Sequence, residues 1–174
     1  MRYLRTVLGT AMVLALAVSP SAALCAEAPG DKERLELASA LGGAKISLEQ
    51  GLAAAAKAGK PISAKFEVED GKLQLSIYVA KGKSFSEVIV DHVSGKIVKS
   101  VAITEGEDLK HAAAQAEAMT AAKRTLQEAT GLAVKASPGY RAVSALPQTS
   151  GGKASAEVGL MKGEARKLAM ESLQ

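Results

Sequence analysis

Residues 64–79 read AKFEVEDGKLQLSIYV, and this stretch decides the fold. Apolar side chains occupy every second position on both sides of Asp70-Gly71, a dipeptide typical of two-residue hairpin turns. Because successive side chains of a strand point to opposite faces, the alternation predicts two antiparallel strands that share one apolar face.

Two further strands are predicted after this hairpin. Residues 84–91 and 96–103 alternate in the same way, and Lys81-Gly82-Lys83 and Ser94-Gly95 separate them from their neighbours. Strands with one apolar and one polar face are typical of an antiparallel sheet that is covered on one side. The sequence therefore predicts a four-stranded meander with a single covered face.

The covering element is predicted to be the alanine-rich helix at 48–58. Ser47 is the expected N-cap, Gln50 completes a capping box three residues later, and Gly59 ends the helix. We expect this helix to pack on the apolar side chains of 73–79.

The order of elements recurs in the second half of the chain. We predict one long helix from about Thr104 to Gly131, with Glu107 in a capping box and a kink near Thr120 as the alternative to a straight helix, and then a strand at 141–146. A loop at 147–152 and strands at 154–161 and 165–173 follow. Aligning the turns Lys81-Gly82 and Lys162-Gly163 favours a degenerate internal duplication, in which each copy forms its own small sheet. Two unrelated hairpins are the alternative.

Residues 1–26 are predicted to be a secretory signal peptide. Arg2 and Arg5 precede an apolar run at 7–18, which is short for a transmembrane span, and Pro20 and small residues follow. We expect a periplasmic or secreted protein; an uncleaved membrane anchor is the alternative. The rest divides into a linker or short helix at 27–45, a first unit at 46–103 and a second unit at 104–174.

Composition excludes several classes of protein. The 174 residues include one cysteine, Cys25, and two histidines, His92 and His111, so neither an internal disulfide nor a Cys/His metal site is possible. Without Arg2 and Arg5, the 22 basic residues fall to 20 against 18 acidic ones, with no basic cluster. Nucleic-acid binding is therefore not expected.

The turn at 91–95 carries two candidate residues. Asp91 and Gly95 have a structural interpretation, in which the carboxylate accepts backbone hydrogen bonds and the glycine supplies a positive φ. A partner-contacting acidic loop is the functional alternative. His92, beside Asp91, is interpreted as an exposed turn histidine and not as a catalytic base, since no nucleophile motif accompanies it.

Three other groups have a functional and a structural interpretation. His111 is expected on the solvated surface of its helix. Glu67, Glu69 and Asp70 would suit a cation site, but the neighbouring lysines favour a solvated polar face. The sparse methionines indicate core or interface packing and not a copper site; they are Met119, Met161 and Met170.

Residues 46–101 resemble a PepSY domain. The start Ile46-Ser-Leu-Glu-Gln50 is similar to the helix start of that family, and 88–98, VIVDHVSGKIV, is similar to its terminal strand–turn–strand. Gly51 stands where the family would have alanine, and the second half is similar only in the order of its elements. The resemblance implies a small α+β fold of a helix on an antiparallel sheet, and inhibition or regulation of peptidases without catalytic residues.

These observations predict an exported, non-catalytic α+β protein made of tandem PepSY-like helix-plus-antiparallel-meander units, which binds a peptide or protein partner. An inhibitor or regulator of an extracytoplasmic peptidase is the alternative. We expect no cofactor, no metal and no catalytic residues, because nucleotide-binding loops and Gly-x-Ser-x-Gly elbows are missing from the sequence. Stable membrane insertion after signal cleavage is not expected.

The signal peptide can be tested by mass spectrometry of the exported protein. We expect an N-terminus between Leu24 and Glu27, because small side chains there suit a signal peptidase. A predominant species that still begins at Met1 in the membrane fraction would contradict the predicted localisation.

Overall fold

The computed structural model describes residues 30–174, so the predicted signal peptide at 1–26 lies outside the described residues. The class is α+β, as predicted. In chain order the elements are α1 (Asp31–Ala40), a 3-10 turn (Leu41–Gly43), α2 (Leu48–Ala55), β1 (Lys60–Glu69), β2 (Lys72–Lys81), β3 (Ser84–Val90), β4 (Ile97–Ile103), α3 (Gly106–Ala118), α4 (Leu126–Lys135), β5 (Arg141–Ser150), β6 (Lys153–Lys162) and β7 (Ala165–Ser172).

All of these strands belong to one antiparallel sheet, in the order β4-β3-β2-β1-β5-β6-β7. The two halves meet at the centre, where β1 pairs with β5 through Ala64↔Ala145 and Lys65↔Ser144. The prediction of two separate small sheets is therefore wrong. Each half presents its first strand as a free edge, and the pairing of these two edges supplies the backbone hydrogen bonds that each would otherwise lack.

The β1–β2 hairpin forms as the sequence predicts. Phe66 lies opposite Leu75, and Glu69 lies opposite Lys72 on either side of the turn. Asp70 and Gly71 both have positive φ values, 50° and 72°. Positive φ at both central residues is the geometry of the tight hairpin turn that Asp-Gly favours.

Helices α2 and α4 pack against each other and cover one face of the sheet. The predicted contact between α2 and β2 is confirmed by the fully buried apolar side chains of both elements, which are Leu48, Leu52 and Ala55 of the helix and Leu75, Ile77 and Val79 of the strand. The contact also accounts for Gly51. A Cβ atom there would lie 2.5 Å from Cδ2 of Leu75, so the glycine allows the close approach of helix and sheet.

Several local features occur at corresponding positions in the two halves. Both α2 and α4 begin with a complete capping box, Ser47 with Gln50 and Thr125 with Glu128. The first strand of each half carries a bulge, one at Ile62 and one at Val143. Just before each helix, two backbone N–H groups donate to a single carbonyl of a residue that follows the third strand. Lys45 and Ile46 donate to His92, after β3, and Lys123 and Arg124 donate to Leu173, after β7.

The opposite face of the sheet carries α1 and α3. Tyr78, whose side chain alternates with the buried Ile77 and Val79, donates a hydrogen bond to Asp108 of α3. The bulge in β1 also buries Ser63, which donates to Gln115 of α3. The prediction of a sheet covered on one side only is thus wrong, because the buried Ser63 and the half-buried Tyr78 let a polar strand face accept a helix through hydrogen bonds.

Two cations from the central strands hold the ends of these outer helices. Arg141 of β5 donates to the carbonyl of Leu41, the C-cap of α1, at 2.9 Å, and to the carbonyl of Ile46, just before α2, at 3.1 Å. Lys60 of β1 donates to the carbonyl of Met119, at the end of α3, at 2.9 Å. Each half therefore supplies a positive charge to the negative end of the other half's helix dipole.

The prediction of a continuous long helix in the second half is wrong, and the kink predicted near Thr120 falls where the helix is interrupted. Its residues form α3 and α4, separated at 119–125, because the backbone N–H groups of Lys123 and Arg124 donate to Leu173 and cannot continue a helix. Glu107 forms no capping box, since the N-cap is Glu105 and makes no side-chain bond. Gly131 lies inside α4, which continues to Lys135.

The predicted loop at 147–152 is also wrong for most of its length, because β5 continues to Ser150. Pro147 lies opposite Ala156 of β6, beyond the two residue pairs that join β5 to β1. Proline is tolerated in a strand where one side has no partner. Between Gly30 and Gln174 no helix combines the length and apolar character that crossing a membrane requires.

Replacing Ile77 with alanine tests the packing of α2 on β2. We expect a loss of about 2–4 kcal/mol in the free energy of unfolding, because the buried side chain leaves a cavity. Val98→Ala, at an exposed position of β4, is the control and should change the stability by less than about 0.5 kcal/mol. Equal effects of the two substitutions in denaturant titrations would contradict the assignment of the buried face.

Candidate functional site

Strand β4 forms one outer edge of the sheet and is the most exposed strand in the described residues. None of its side chains is buried, although most of them are apolar. Val98 is 64% exposed, Val101 is 42% exposed and Ile97 is 37% exposed. On one side β4 pairs with β3, and the described residues place no strand on the other side. Its outer N–H and C=O groups are therefore free to pair with another chain.

The faces of β4 follow from its register with β3. Lys99 lies opposite Ile89 and Val101 lies opposite Glu87, so these two side chains share one face. Ser100, opposite Val88, lies on the other face. One face of this edge therefore carries the cation Lys99 beside the apolar Val101, and the other face carries Ser100.

The turn at 91–95 sets the direction in which β4 leaves β3. Asp91 accepts hydrogen bonds from the backbone N–H of Ser94 at 2.7 Å and from its hydroxyl at 2.5 Å. Gly95 has a φ of 72° and donates its N–H to the carbonyl of Asp91. The structural interpretation of Asp91 and Gly95 is therefore confirmed. The hydrogen bonds from Ser94 hold the pKa of the Asp91 carboxyl below its usual value of 3.8.

His92 is not the exposed turn residue that the sequence predicts. It is half-buried, and its carbonyl accepts hydrogen bonds from the N–H groups of Lys45 and Ile46. Nδ1 of its ring is buried without a hydrogen-bond partner in the described part of the chain. His92 is half-buried because the segment that leads into α2 crosses the end of β3 and covers the turn.

A cleft lies between α1 and α3, on the face of the sheet opposite α2. The cleft has a volume of about 520 Å³. Three neighbouring strands line it with the short side chains of Ser63, Ser76 and Ser144 and with longer ones, including Lys65 and Tyr78. Glu33 and Glu36 of α1 line one wall. The short serines leave space beneath the two helices.

Charged side chains at the cleft are largely satisfied within the protein. Lys65 and Glu67 form an ion pair at 2.5 Å. Burial raises the pKa of Tyr78 above its usual value, and its hydrogen bond to Asp108 adds to the effect. Tyr78 therefore stays protonated and ties α3 to the sheet at neutral pH. Several of the polar side chains that line the cleft are therefore already paired with each other.

The other residues singled out from the sequence are dispersed. His111 is exposed and lines the cleft, as expected for the solvated surface of a helix. Glu67 belongs to the ion pair with Lys65, whereas Glu69 and Asp70 are exposed at the hairpin turn. Among residues 30–174 no three carboxylate, histidine or cysteine side chains form a group that could hold a metal ion. The interpretation of these acidic side chains as a solvated polar face fits this placement.

The methionines divide between the core and the surface. Met119 and Met161 are 1% and 2% exposed and fill the core, which confirms the packing interpretation for both. Met170 lies on β7 and is 55% exposed. An exposed methionine on an edge strand is available for contact with a partner.

The sequence did not indicate the cleft, although two residues singled out from it, Glu67 and His111, line the cleft. Asp108, His111 and Gln115 follow one another at spacings of three and four, so they share one face of α3. This polar stripe was the available signal.

No protein-family model and no curated protein matches this sequence. Among solved structures, the chain is similar to a crystal structure from Clostridium difficile described as a "putative lipoprotein", with a TM-score of 0.40 and 12% sequence identity. The similarity covers 68% of this chain and 78% of that chain. At this TM-score the two backbones agree only in part.

The Asp91 turn predicts a pH-dependent contribution to stability. The folded carboxyl has a pKa below 3.8, so its contribution is complete above the unfolded pKa and is lost as the pH falls through the folded value. Asp91→Asn should therefore be less stable than the parent at neutral pH. The difference should shrink in denaturant titrations below pH 3.8, and a difference that grows on acidification would contradict the assignment.

Proposed function

We propose that this protein is exported and binds an extended polypeptide segment by adding it as a strand beside β4. The observation that carries this proposal is the outer edge of β4, where an apolar strand has exposed side chains and unpaired backbone groups within the described residues. Strand addition uses main-chain hydrogen bonds for affinity and alternate side chains for specificity.

The side chains of β4 specify the partner in part. In an added antiparallel strand, residues directly opposite each other interact most strongly. The position opposite Lys99 favours an acidic residue, and the position opposite Val101, two residues away on the same face, favours an apolar one. The proposed ligand is thus an extended segment with an acidic residue and an apolar residue two positions apart. Any residue can stand between them.

The affinity should be modest. Strand β4 is 7 residues long, and each hydrogen bond to an added strand contributes only about 0.5–1.5 kcal/mol net. The edge is also shaped against indiscriminate pairing, because Lys99 lies at its centre and a register shift interrupts its pairing with β3. Selective and reversible recognition fits these features better than permanent association.

We infer further that the two halves are PepSY-like units. The matching capping boxes, strand bulges and backbone hydrogen bonds before α2 and α4 support this inference, as does the Lys-Gly turn after the second strand of each half. The unit boundaries at 46–103 and 104–174 then correspond to helix-plus-meander repeats that share one sheet. In this family peptidases are the expected partners, so inhibition or regulation of an extracytoplasmic peptidase is the alternative function.

The proposal includes no catalysis. In the described residues neither imidazole hydrogen-bonds to a serine, threonine or carboxylate side chain, and Ser63 and Ser76 are engaged with Gln115 and Glu87. A nucleophile needs a base within hydrogen-bond reach. These arrangements support a binding protein, and a panel of peptidase and esterase substrates run on the purified protein tests the point directly.

Peptide binding can be tested with a fluorescent peptide of alternating valine and threonine that carries one aspartate two residues from a valine. We expect a saturable increase in anisotropy. Hydrogen exchange should slow at the amides of β4 and not at those of β7, because the added strand protects the outer groups of the edge it joins. Protection confined to β7 or to the helices around the cleft would overturn the proposal.

A matched pair of variants separates the edge from general surface effects. Val101 and Leu132 are equally exposed, at 42% and 41%, and lie on β4 and α4. Val101→Asp should weaken peptide binding roughly tenfold or more, because it places a charge opposite an apolar residue. Leu132→Asp should leave it unchanged. Equal affinities of the two variants would contradict strand addition at β4.

A further inference from the structure

The other edge of the sheet, β7, has features that β4 lacks. Leu168 and Met170 are 50% and 55% exposed and share one face, while Lys167 and Glu171 lie on the opposite face. On its inner side β7 pairs with β6, and the described residues place no strand on its outer side. This edge therefore combines two exposed apolar side chains with two opposite charges on alternate faces.

The corresponding strand of the first half is covered. When the turns Lys81-Gly82 and Lys162-Gly163 are aligned, β7 corresponds to β3, and β3 accepts β4 along its outer side. Leu168 and Met170 of β7 correspond to Glu87 and Ile89 of β3, which are half-buried. Strand β7 is thus the counterpart of a strand that has an outer neighbour, whereas the described residues provide none for β7 and leave Leu168 and Met170 exposed.

We propose that β7 pairs with β7 of a second copy of this chain, antiparallel about a twofold axis at Ala169. In this register Leu168 lies opposite Met170 of the second copy, and Lys167 lies opposite its Glu171. Each of these pairs forms twice because the interface is symmetric. Both cross-strand contacts are of the stabilising kinds, apolar with apolar and cation with anion.

Charge complementarity favours a second copy of this chain as the partner of β7. Lys167 and Glu171 are four residues apart along a strand, roughly 13 Å, so they cannot pair with each other within one chain. Glu171 forms no ion pair among the described residues, and the ammonium group of Lys167 lies over the ring of Tyr140 at 4.5 Å. A second copy in this register brings each charge opposite its counterion.

A small residue lies on the proposed axis. Ala169 would face Ala169 of the second copy, so no bulky side chains meet at the centre of the interface. An equivalent self-pairing of β4 about Ser100 would instead place Lys99 opposite Val101, with no anion available. The two edges therefore have different roles: β7 joins two copies in one continuous sheet, and each copy keeps its β4 edge free.

Sedimentation velocity over a wide range of concentrations tests the dimer. We expect a monomer–dimer equilibrium for the parent protein. Lys167→Glu and Glu171→Lys should each weaken dimerisation roughly tenfold or more, because each places like charges opposite each other twice. The double variant restores the opposite charges in exchanged positions and should recover most of the parent affinity. Lys99→Glu, with the same change of charge on the other edge, should have no effect.

Mixing the two single variants gives the sharpest readout. In a mixed dimer of Lys167→Glu with Glu171→Lys, both charge pairs across the axis are attractive again, so mixed dimers should exceed either homodimer. Labelling one variant with ¹⁵N resolves the species by native mass spectrometry. Thermal melts check that both variants remain folded, which matters most for Lys167→Glu because it loses the contact with Tyr140.

Several outcomes would overturn the proposal. A parent protein that stays monomeric at the highest concentration would exclude the dimer. A concentration-dependent series of species larger than a dimer would indicate head-to-tail association of β4 with β7. A dimer that is insensitive to both single variants, or whose double variant is as weak as the singles, would place the interface elsewhere on the molecule.

Discussion

The pairing of β1 with β5 is the contact on which the rest of the structure depends. Two residue pairs, Ala64↔Ala145 and Lys65↔Ser144, join the two meanders into one sheet. Their alanines are buried on the face that α2 and α4 cover, and small side chains there let both helices lie side by side over the junction. Without this pairing each half would expose a central strand edge and one side of its helix.

The same junction places the outer helices. Arg141 and Lys60 begin the two central strands, and each reaches across to the C-terminal end of the helix that belongs to the other half. Burial lowers the pKa of Arg141 from its usual value, and the ring of Phe66 lies 5.4 Å from its guanidinium carbon. These contacts fix α1 and α3 across the serine-lined face, and the cleft between them is a consequence. Tertiary contacts of opposite halves therefore define a recess that neither half would form alone.

The joined sheet leaves two edges with different chemistry. The edge at β4 is apolar with a single central cation, and the proposed function uses it to receive an extended segment. The edge at β7 is self-complementary in charge and in apolar contacts, and the proposed dimer uses it. Both proposals depend on the same principle. An unpaired strand edge binds another strand unless charges, prolines or bulges prevent it.

The sequence by itself determined the local elements of this protein. Alternation around Asp70-Gly71 predicted the first hairpin, the pair Ser47 and Gln50 predicted the start of α2, and the Asp91–Gly95 turn followed from side chains that bond within four residues. These features depend on neighbours along the chain, so their physics is visible in the sequence. Burial of Leu75, Ile77 and Val79 under α2 followed from the same periodicity.

Only the tertiary structure decided how these elements associate. The break between α3 and α4 arises because Lys123 and Arg124 bond to Leu173, about fifty residues away along the chain. The extension of β5 through Pro147, the half-buried position of His92 and the helices on the polar face likewise depend on distant partners. The exposed edges at β4 and β7 could not be inferred from the sequence, because every strand carries the same backbone groups and only the strand order shows which two have no outer neighbour within residues 30–174.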